Sequence, residues 1–123
     1  MKKIKSIALV ALVALLTSTI SYASSNKFSY NEGGKTKVFT VSVYITSGKN
    51  SSHTIAGEYN SYPTGYGRIY FMYNGRRESK VVNGASNSSY WSAGSNLTYG
   101  NIYRASTTVT SKGLNKTVTD YYN

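Results

Sequence analysis

Hydrophobic and polar residues alternate with a period of two in the segment KTKVFTVSVYIT, residues 35–46. Every second residue from Phe39 to Ile45 is apolar, and most of these are β-branched, which is typical of a strand with one buried face. The turn-forming run SGKNSS follows, and HTIAGEY after it is predicted to be a returning strand. No segment after residue 23 shows the apolar stripe of an amphipathic helix.

The segment GYGRIYFMYNGRRESKVV, residues 65–82, predicts a hairpin. Asn74-Gly75 is the favoured pair for a two-residue type I′ turn because both residues accept a positive φ. This turn places Tyr73 opposite Arg76, and the same register continues along both strands. Aromatic rings and cations are interleaved in this ribbon, and neither of its faces is cleanly apolar.

The chain ends in a second predicted hairpin, IYRASTTVTSKGLNKTVTDYY, with Lys112-Gly113 as its turn. One face of that hairpin then carries Ala105, Thr107, Val109, Leu114, Val118 and Tyr122. Short strands at regular spacing predict an all-β fold, either a small antiparallel β-sandwich or a barrel. We expect residues 37–123 to form this single domain, and residues 24–36, SSNKFSYNEGGKT, to be a flexible N-terminal arm.

The first 23 residues, MKKIKSIALVALVALLTSTISYA, have the pattern of a cleaved signal peptide. Three lysines precede the apolar run Ile7 to Leu16, and Ser21-Tyr22-Ala23 offers the small residues that a signal peptidase accepts. As a helix, the ten-residue run spans only about 15 Å, about half the thickness of a bilayer. The pattern predicts cleavage after Ala23 and a secreted, extracellular product.

The composition is strongly cationic, with 14 lysines and arginines against 4 carboxylates. Removing the three lysines before residue 6 leaves 11 cations against 4 carboxylates, a net charge of +7 for residues 24–123. The chain contains no cysteine, so packing and hydrogen bonds hold the fold without disulfides. Its valines, isoleucines and tyrosines are too abundant and too regularly placed for a disordered polyelectrolyte.

The sequence offers few groups for catalysis. His53 is the only histidine, which argues against a conventional zinc site and favours a solvated residue at the edge of a strand over a triad base. A carboxylate pair for sugar hydrolysis would have to come from the four acidic residues, each of which is more simply explained by surface charge balance. Asp120 is expected to pair with Arg104. We therefore predict a non-enzyme without metal or cofactor.

Cations and aromatic rings are the remaining candidates for function. A positive field outside the cell attracts teichoic acid, anionic lipid and cell-wall precursors such as lipid II, while the signal peptide makes nucleic acid an unexpected partner. The predicted cationic contacts are Lys35, Lys37, Arg68, Arg76, Arg77 and Arg104. The predicted aromatic contacts are Tyr70, Tyr73, Trp91 and Tyr121. Two alternatives stay open: Trp91 as a core residue, and the arginine pair 76–77 as a solvated turn.

The C-terminal segment RASTTVTSKGLNKTVTDYYN, residues 104–123, resembles the end of the lactococcin family of secreted, unmodified β-sandwich bacteriocins. SSHTIAG, residues 51–57, is a weaker similarity to a strand of that family. Members have a shorter mature chain and an aromatic, glycine-rich start with tryptophan, which this chain lacks. The resemblance implies two packed antiparallel sheets and growth inhibition through lipid II at the septum. It covers Arg104, Lys112, Leu114, Asn115, Thr117, Tyr121 and Tyr122, and it assigns no binding site.

These observations lead to one principal hypothesis and two alternatives. The principal hypothesis is a secreted cationic antibacterial protein that binds an anionic envelope component without chemistry. The first alternative is a structural or adhesive matrix protein whose strands pair edge to edge, so self-association stays open. The second is a small wall hydrolase, or an inhibitor of one, built on Glu58 or Glu78.

Overall fold

The computed structural model describes residues 22–122, and these residues form nine β-strands and no helix. The strands are β1 (Tyr22–Glu32), β2 (Lys35–Ile45), β3 (Asn50–Ala56), β4 (Gly65–Tyr73), β5 (Arg76–Val82), β6 (Ala85–Ser86), β7 (Tyr90–Asn96), β8 (Asn101–Val109) and β9 (Lys116–Tyr121).

The strands form two antiparallel sheets that pack face to face. The five-stranded sheet has the order β1-β2-β3-β7-β6, and the four-stranded sheet has the order β5-β4-β8-β9. The sheets do not close into a barrel. The all-β prediction is therefore confirmed, and of the two predicted architectures the protein adopts the sandwich.

The core lies between the sheets and is built by the alternation seen in the sequence. Phe39, Val41 and Val43 of β2 are fully buried, and they face β8 and β9 of the other sheet. The remaining core residues are Tyr30, Ile45, Ile55, Ile69, Val82, Trp91, Ile102, Ala105, Val109 and Val118. Burial of these apolar side chains is the main source of stability, since no disulfide is present.

The two predicted hairpins are confirmed. Asn74 and Gly75 have φ values of 51° and 73°, as a type I′ turn requires, and Tyr73 lies opposite Arg76. In the terminal hairpin, Lys112 and Gly113 also have positive φ, within a loop that runs from the end of β8 to the start of β9. The expected inward face of that hairpin is buried at Ala105, Thr107, Val109 and Val118.

The prediction that residues 24–36 form a flexible arm is wrong. Residues 22–32 form β1, which pairs with β2 along its whole length, and β2 itself begins at Lys35. The Tyr30 ring stacks on the Phe39 ring at 4.6 Å, and Phe28 also packs against the core. Two inward aromatic rings and a complete backbone ladder with β2 therefore hold a strand whose other residues are mostly polar.

The end of β1 is also tied to the four-stranded sheet. Glu32 accepts hydrogen bonds from Lys37 at 3.4 Å and from Lys112, in the β8–β9 loop, at 2.6 Å. These two bonds lower the pKa of the Glu32 carboxyl. The predicted signal peptide falls almost entirely on residues 1–21, outside the described residues, although its last two residues, Tyr22 and Ala23, belong to β1.

Candidate functional site

The two outer faces of the sandwich differ in chemistry. The outer face of the five-stranded sheet carries mainly serine, threonine and asparagine, and Lys27 is the only charged residue at its described strand positions. The outer face of the four-stranded sheet carries three arginines and several tyrosines. We call the second surface the arginine–tyrosine face and define it by Arg68, Arg77, Arg104, Tyr70, Tyr103 and Tyr121.

Tyr70 lies at the centre of the arginine–tyrosine face. It pairs with Arg104 across β4 and β8, and the Arg104 guanidinium carbon lies 3.8 Å from the centroid of the Tyr70 ring. This cation–π contact holds the planar guanidinium against the ring. A guanidinium held in this way presents its remaining N–H groups as a fixed fork, which suits the oxygens of phosphate or carboxylate.

The other two arginines of the face flank Tyr70. Arg68 lies two residues before Tyr70 on β4, diagonal to Arg104, which corresponds to a separation of roughly 7 Å between Cβ atoms. Its guanidinium donates to the Ser79 hydroxyl on β5 at 3.2 Å. Arg77 lies diagonal to Tyr70 across β4 and β5, so each of the three arginines is a near neighbour of Tyr70 on the same face.

A bulge in β8 adds a tyrosine that the sequence pattern did not indicate. Tyr70 pairs with Arg104, but Phe71 pairs with Ile102, so Tyr103 is the extra residue of β8. Its ring centroid lies 6.0 Å from the Arg77 guanidinium carbon. Simple alternation places Tyr103 on the opposite face from Arg104, and only the bulge brings both to one surface.

No acidic side chain occupies a described strand position of this face. Glu78 lies on the other side of β5, where it pairs with Arg76 at 3.8 Å. Asp120 faces the core opposite Ala105, where burial raises the pKa of its carboxyl. The expected pair between Asp120 and Arg104 is therefore wrong, because neighbouring residues of a strand point to opposite faces. The arginines of the face stay uncompensated by carboxylates.

Several predicted contact residues lie elsewhere. Arg68, Arg77, Arg104, Tyr70 and Tyr121 come together on the arginine–tyrosine face. Tyr73 and Arg76 flank the Asn74-Gly75 turn at one end of the sandwich. Lys35 and Lys37 lie at the start of β2, at the opposite end, and Lys37 is bound to Glu32. The ten predicted residues thus do not form one site.

The prediction that Trp91 is an aromatic contact at the surface is wrong. Its side chain is 3% exposed and belongs to the core, opposite Ile55 on the neighbouring strand. In the surrounding segment SNSSYWSAGSN, Ser92 and Asn96 point outward from β7, residues 87–89 lie in a loop, and Ser95 shares the inward face with Trp91. Trp91 therefore cannot contact a partner at the surface, and the core alternative is the one that the structure adopts.

The prediction that His53 is solvated is also wrong, because its side chain is fully buried between the sheets. The Nδ1 atom lies 2.9 Å from the Ser106 carbonyl oxygen, which can only accept, so Nδ1 carries the proton. The Nε2 atom accepts from the Ser51 hydroxyl at 2.8 Å. Burial lowers the pKa of His53 to about 4, and the ring is neutral at physiological pH.

A glycine makes room for this histidine. A Cβ atom at Gly67 of β4 would lie 2.6 Å from Nδ1 of His53, so the ring occupies the space that any other residue would fill. The polar chain continues from Ser51 to the Ser95 hydroxyl on β7. Because the ring is enclosed on both sides, this network specifies the packing of the two sheets.

The described residues contain no group of three or more histidines, cysteines and carboxylates that could hold a metal ion. Within the same part of the chain, no helix has the length and apolar character needed to cross a bilayer. The two carboxylates considered for hydrolysis are far apart, since Glu58 lies in the β3–β4 loop and Glu78 beside the turn at the opposite end.

No family model, curated protein sequence or solved structure matches this chain. The resemblance of residues 104–123 to the lactococcin family therefore remains a prediction.

Proposed function

We propose that the protein is a secreted, cationic antibacterial protein that binds an anionic component of the bacterial envelope, such as a cell-wall precursor, through the arginine–tyrosine face. The observation that carries this proposal is the clustering of Arg68, Arg77 and Arg104 around Tyr70 on a face without carboxylates. The opposite outer face carries a single lysine and serves as an internal comparison.

The chemistry of the face suits a phosphate-bearing glycan or lipid head group. Guanidinium groups bind phosphate oxygens through paired hydrogen bonds, and tyrosine rings cover the apolar faces of sugars. The rigid four-stranded sheet fixes the spacing of these groups before a ligand arrives, which lowers the entropy cost of binding. Such a protein acts by occupying its target, and no catalytic step is required.

The proposal is tested by comparing two charge-matched triple variants. Arg68→Gln/Arg77→Gln/Arg104→Gln removes three charges from the face, and Lys27→Gln/Lys35→Gln/Lys116→Gln removes three exposed charges from other places. Binding to envelope fragments of related Gram-positive strains is measured together with growth inhibition. We expect the first variant to bind at least about tenfold more weakly, because it loses hydrogen bonds to charged groups.

The control variant should retain most of the binding and the inhibition. Equal losses in both variants would show that only net charge matters, and the proposed site would be wrong. If the unaltered protein neither inhibits any strain nor binds envelope fragments, the antibacterial function itself is refuted. Arg104→Lys separates charge from geometry, since it keeps the charge but loses the guanidinium fork.

The matrix alternative is favoured by one specific feature, the edge strand β1. This strand has eleven residues, lies at the edge of its sheet and carries one charge, Lys27, before its last residue. Unpaired backbone groups along such an edge can pair with a second chain. Sedimentation velocity distinguishes the hypotheses, because a fibre component assembles as its concentration rises and the proposed antibacterial protein stays monomeric.

A further inference from the structure

One end of the sandwich carries a cluster of exposed aromatic and apolar side chains. The Tyr73 and Tyr99 rings lie 5.4 Å apart between centroids, and they are 36% and 63% exposed. Met72, which precedes Tyr73 and faces the other side of β4 at the same end, is 38% exposed. We define the tyrosine tip as Met72, Tyr73, Arg76 and Tyr99, around the Asn74-Gly75 turn and the β7–β8 loop.

The tyrosine tip is held in place by the loop that carries Tyr99. Gly100 has a φ of 85°, and a Cβ atom there would lie 2.7 Å from the Met72 carbonyl oxygen and 3.3 Å from Tyr73 Cβ. The absence of a side chain at Gly100 lets the loop rest directly on β4. The Lys49 ammonium, from the β2–β3 loop, donates to the Gly100 carbonyl. Tyr99 is thus fixed beside Tyr73 while its ring stays in solvent.

Positive charge surrounds these rings. Arg76 lies opposite Tyr73 in the hairpin, and Arg77 lies opposite Met72. The ion pair of Arg76 with Glu78 joins two exposed side chains and is screened by water, so it contributes little. Of the four acidic side chains in the chain, Asp120 is buried, Glu32 and Glu58 lie at the other end, and Glu78, with 41% of its side chain exposed, is the one at this end. The tip therefore combines an apolar surface with a net positive charge.

The opposite end of the sandwich provides a natural comparison. The β3–β4 loop there exposes Tyr59 and Tyr62, at 80% and 58%, so aromatic exposure alone does not distinguish the two ends. However, Glu58 directly precedes Tyr59 in that loop. This carboxylate opposes contact between the loop and a negatively charged surface, although Lys35 and Lys37 lie at the same end, whereas the rings of the tyrosine tip have an arginine beside them.

We propose that the tyrosine tip is a docking site for the surface of an anionic phospholipid bilayer. Tyrosine prefers the boundary between head groups and acyl chains, because its ring is apolar and its hydroxyl is polar. Arginines beside the rings meet lipid phosphates at the same depth. A soluble anionic polymer would bind the charges but would leave the apolar surface of Met72, Tyr73 and Tyr99 unused, so the bilayer is the better match.

This docking rests on the exposed rings and Arg76, and it shares only Arg77 with the arginine–tyrosine face. The strands of the sandwich run away from the tyrosine tip, so a docked molecule stands on the membrane with its sheets upright. The arginine–tyrosine face then points along the bilayer, where phosphate-bearing groups attached to the membrane are presented. The tyrosine tip holds the protein at the membrane, and the arginine–tyrosine face selects the ligand.

The test measures binding of the protein purified from culture medium to vesicles of phosphatidylglycerol and phosphatidylcholine, by flotation. Tyr99→Ser is compared with Tyr59→Ser, a matched change at the other end, and all variants share the same N-terminus. We expect Tyr99→Ser to weaken binding severalfold and Tyr59→Ser to leave it unchanged. Arg76→Gln should weaken binding about fivefold, as expected for one basic residue at an anionic surface. Pure phosphatidylcholine should bind weakly.

A second measurement reports the depth of the tip. Tyr99→Trp and Tyr59→Trp each add one exposed tryptophan to a background from the buried Trp91, which also reports correct folding in near-ultraviolet circular dichroism. Lipids brominated on their acyl chains should quench the fluorescence of Tyr99→Trp and not that of Tyr59→Trp. Equal quenching at both ends, or binding that Tyr99→Ser leaves unchanged, would overturn the proposal.

The face variant keeps the two proposals separate. Arg68→Gln/Arg104→Gln should retain vesicle binding and lose binding to envelope fragments. If vesicle binding instead follows this variant and not Tyr99→Ser, the membrane site is the arginine–tyrosine face and the tip proposal is wrong. If vesicles are bound through the tip but no strain is inhibited, the tip proposal stands and the antibacterial function fails.

Discussion

Protonation of His53 is the perturbation for which the structure gives the clearest magnitude. In the folded protein the ring is fully buried and neutral, with its Nδ1 proton donated to the Ser106 carbonyl and its Nε2 atom accepting from Ser51. A proton added at Nε2 would place a charge in the core and force the Ser51 hydroxyl to turn away. Burial therefore lowers the pKa of His53 from 6.5 to about 4.

This difference makes folding depend on pH. Above pH 6.5 the ring is neutral in both the folded and the unfolded chain, and titration of His53 does not change the free energy of unfolding. Between pH 6.5 and 4 the unfolded chain binds a proton that the folded chain does not, so the stability of the fold decreases as the pH falls. At about 1.4 kcal/mol per pH unit, the total loss by pH 4 is about 3 kcal/mol.

The assay is urea unfolding at a series of pH values, followed by the near-ultraviolet signal of Trp91. His53→Gln is the control, because it retains a hydrogen-bonding side chain and cannot titrate. Since the chain has one histidine, its imidazole proton signal in NMR also gives the pKa in the folded state directly. We expect the wild type to lose about 3 kcal/mol between pH 6.5 and 4, and His53→Gln to lose much less.

Two results would refute this reasoning. One is a His53 signal that titrates near 6.5 in the folded protein, since that would mean the ring is solvated. The other is an identical pH dependence in His53→Gln. Asp120 works in the opposite direction, because burial raises the pKa of its carboxyl, and its stability contribution is present at low pH and is lost as the pH rises. Comparison with the variant removes this background.

Three further predictions concern the glycines and the ion pairs. Gly67→Ala should destabilise the protein by about 1–3 kcal/mol in urea unfolding, because the new methyl group overlaps the His53 ring. Gly94→Ala is the control and should be nearly neutral, because the nearest atom to its new methyl group is 3.5 Å away. Equal effects of the two substitutions would contradict the packing argument. Gly75→Ala should cost about 1–2 kcal/mol, because its φ of 73° is left-handed, and an unchanged midpoint would count against the type I′ turn. Glu32→Gln should slightly lower the free energy of unfolding at pH 7. The difference from wild type should disappear as the pH falls below 4.5 through the lowered pKa of Glu32. A difference that persists in acid would mean that the ion pairs contribute nothing.

The elements predicted from the sequence are those in which local chemistry and tertiary packing agree. β2 alternates apolar and polar residues because one of its faces is buried, and Asn74-Gly75 fixes the register of β4 and β5. β1 is not evident from the sequence because it is an edge strand in which the two inward rings, Phe28 and Tyr30, are surrounded by polar residues. β1 is held mainly by its backbone hydrogen bonds to β2, and backbone pairing leaves no pattern in the side chains of β1.

The site was predictable only in part for the same reason. Alternation along β4 correctly placed Arg68 and Tyr70 on one face, but the pairing of β4 with β8 was needed to bring Arg104 beside them. The bulge at Tyr103 has no sequence signal in a single chain. The burial of His53 depends on Gly67, a residue fourteen positions away, so the turn-like residues around the histidine were misleading.

The contact between the first and last strands has a consequence for how the chain acquires its fold. The Ser24 hydroxyl of β1 donates to Asp120 of β9 at 3.4 Å, across 96 positions of sequence. A sandwich closed by such distant partners cannot be completed until almost the whole chain is free, and folds dominated by non-local pairing form slowly, in milliseconds to seconds. A polypeptide that is still emerging from the ribosome, or passing through a translocation channel, would therefore lack its final tertiary structure, and the last strand to arrive would complete it.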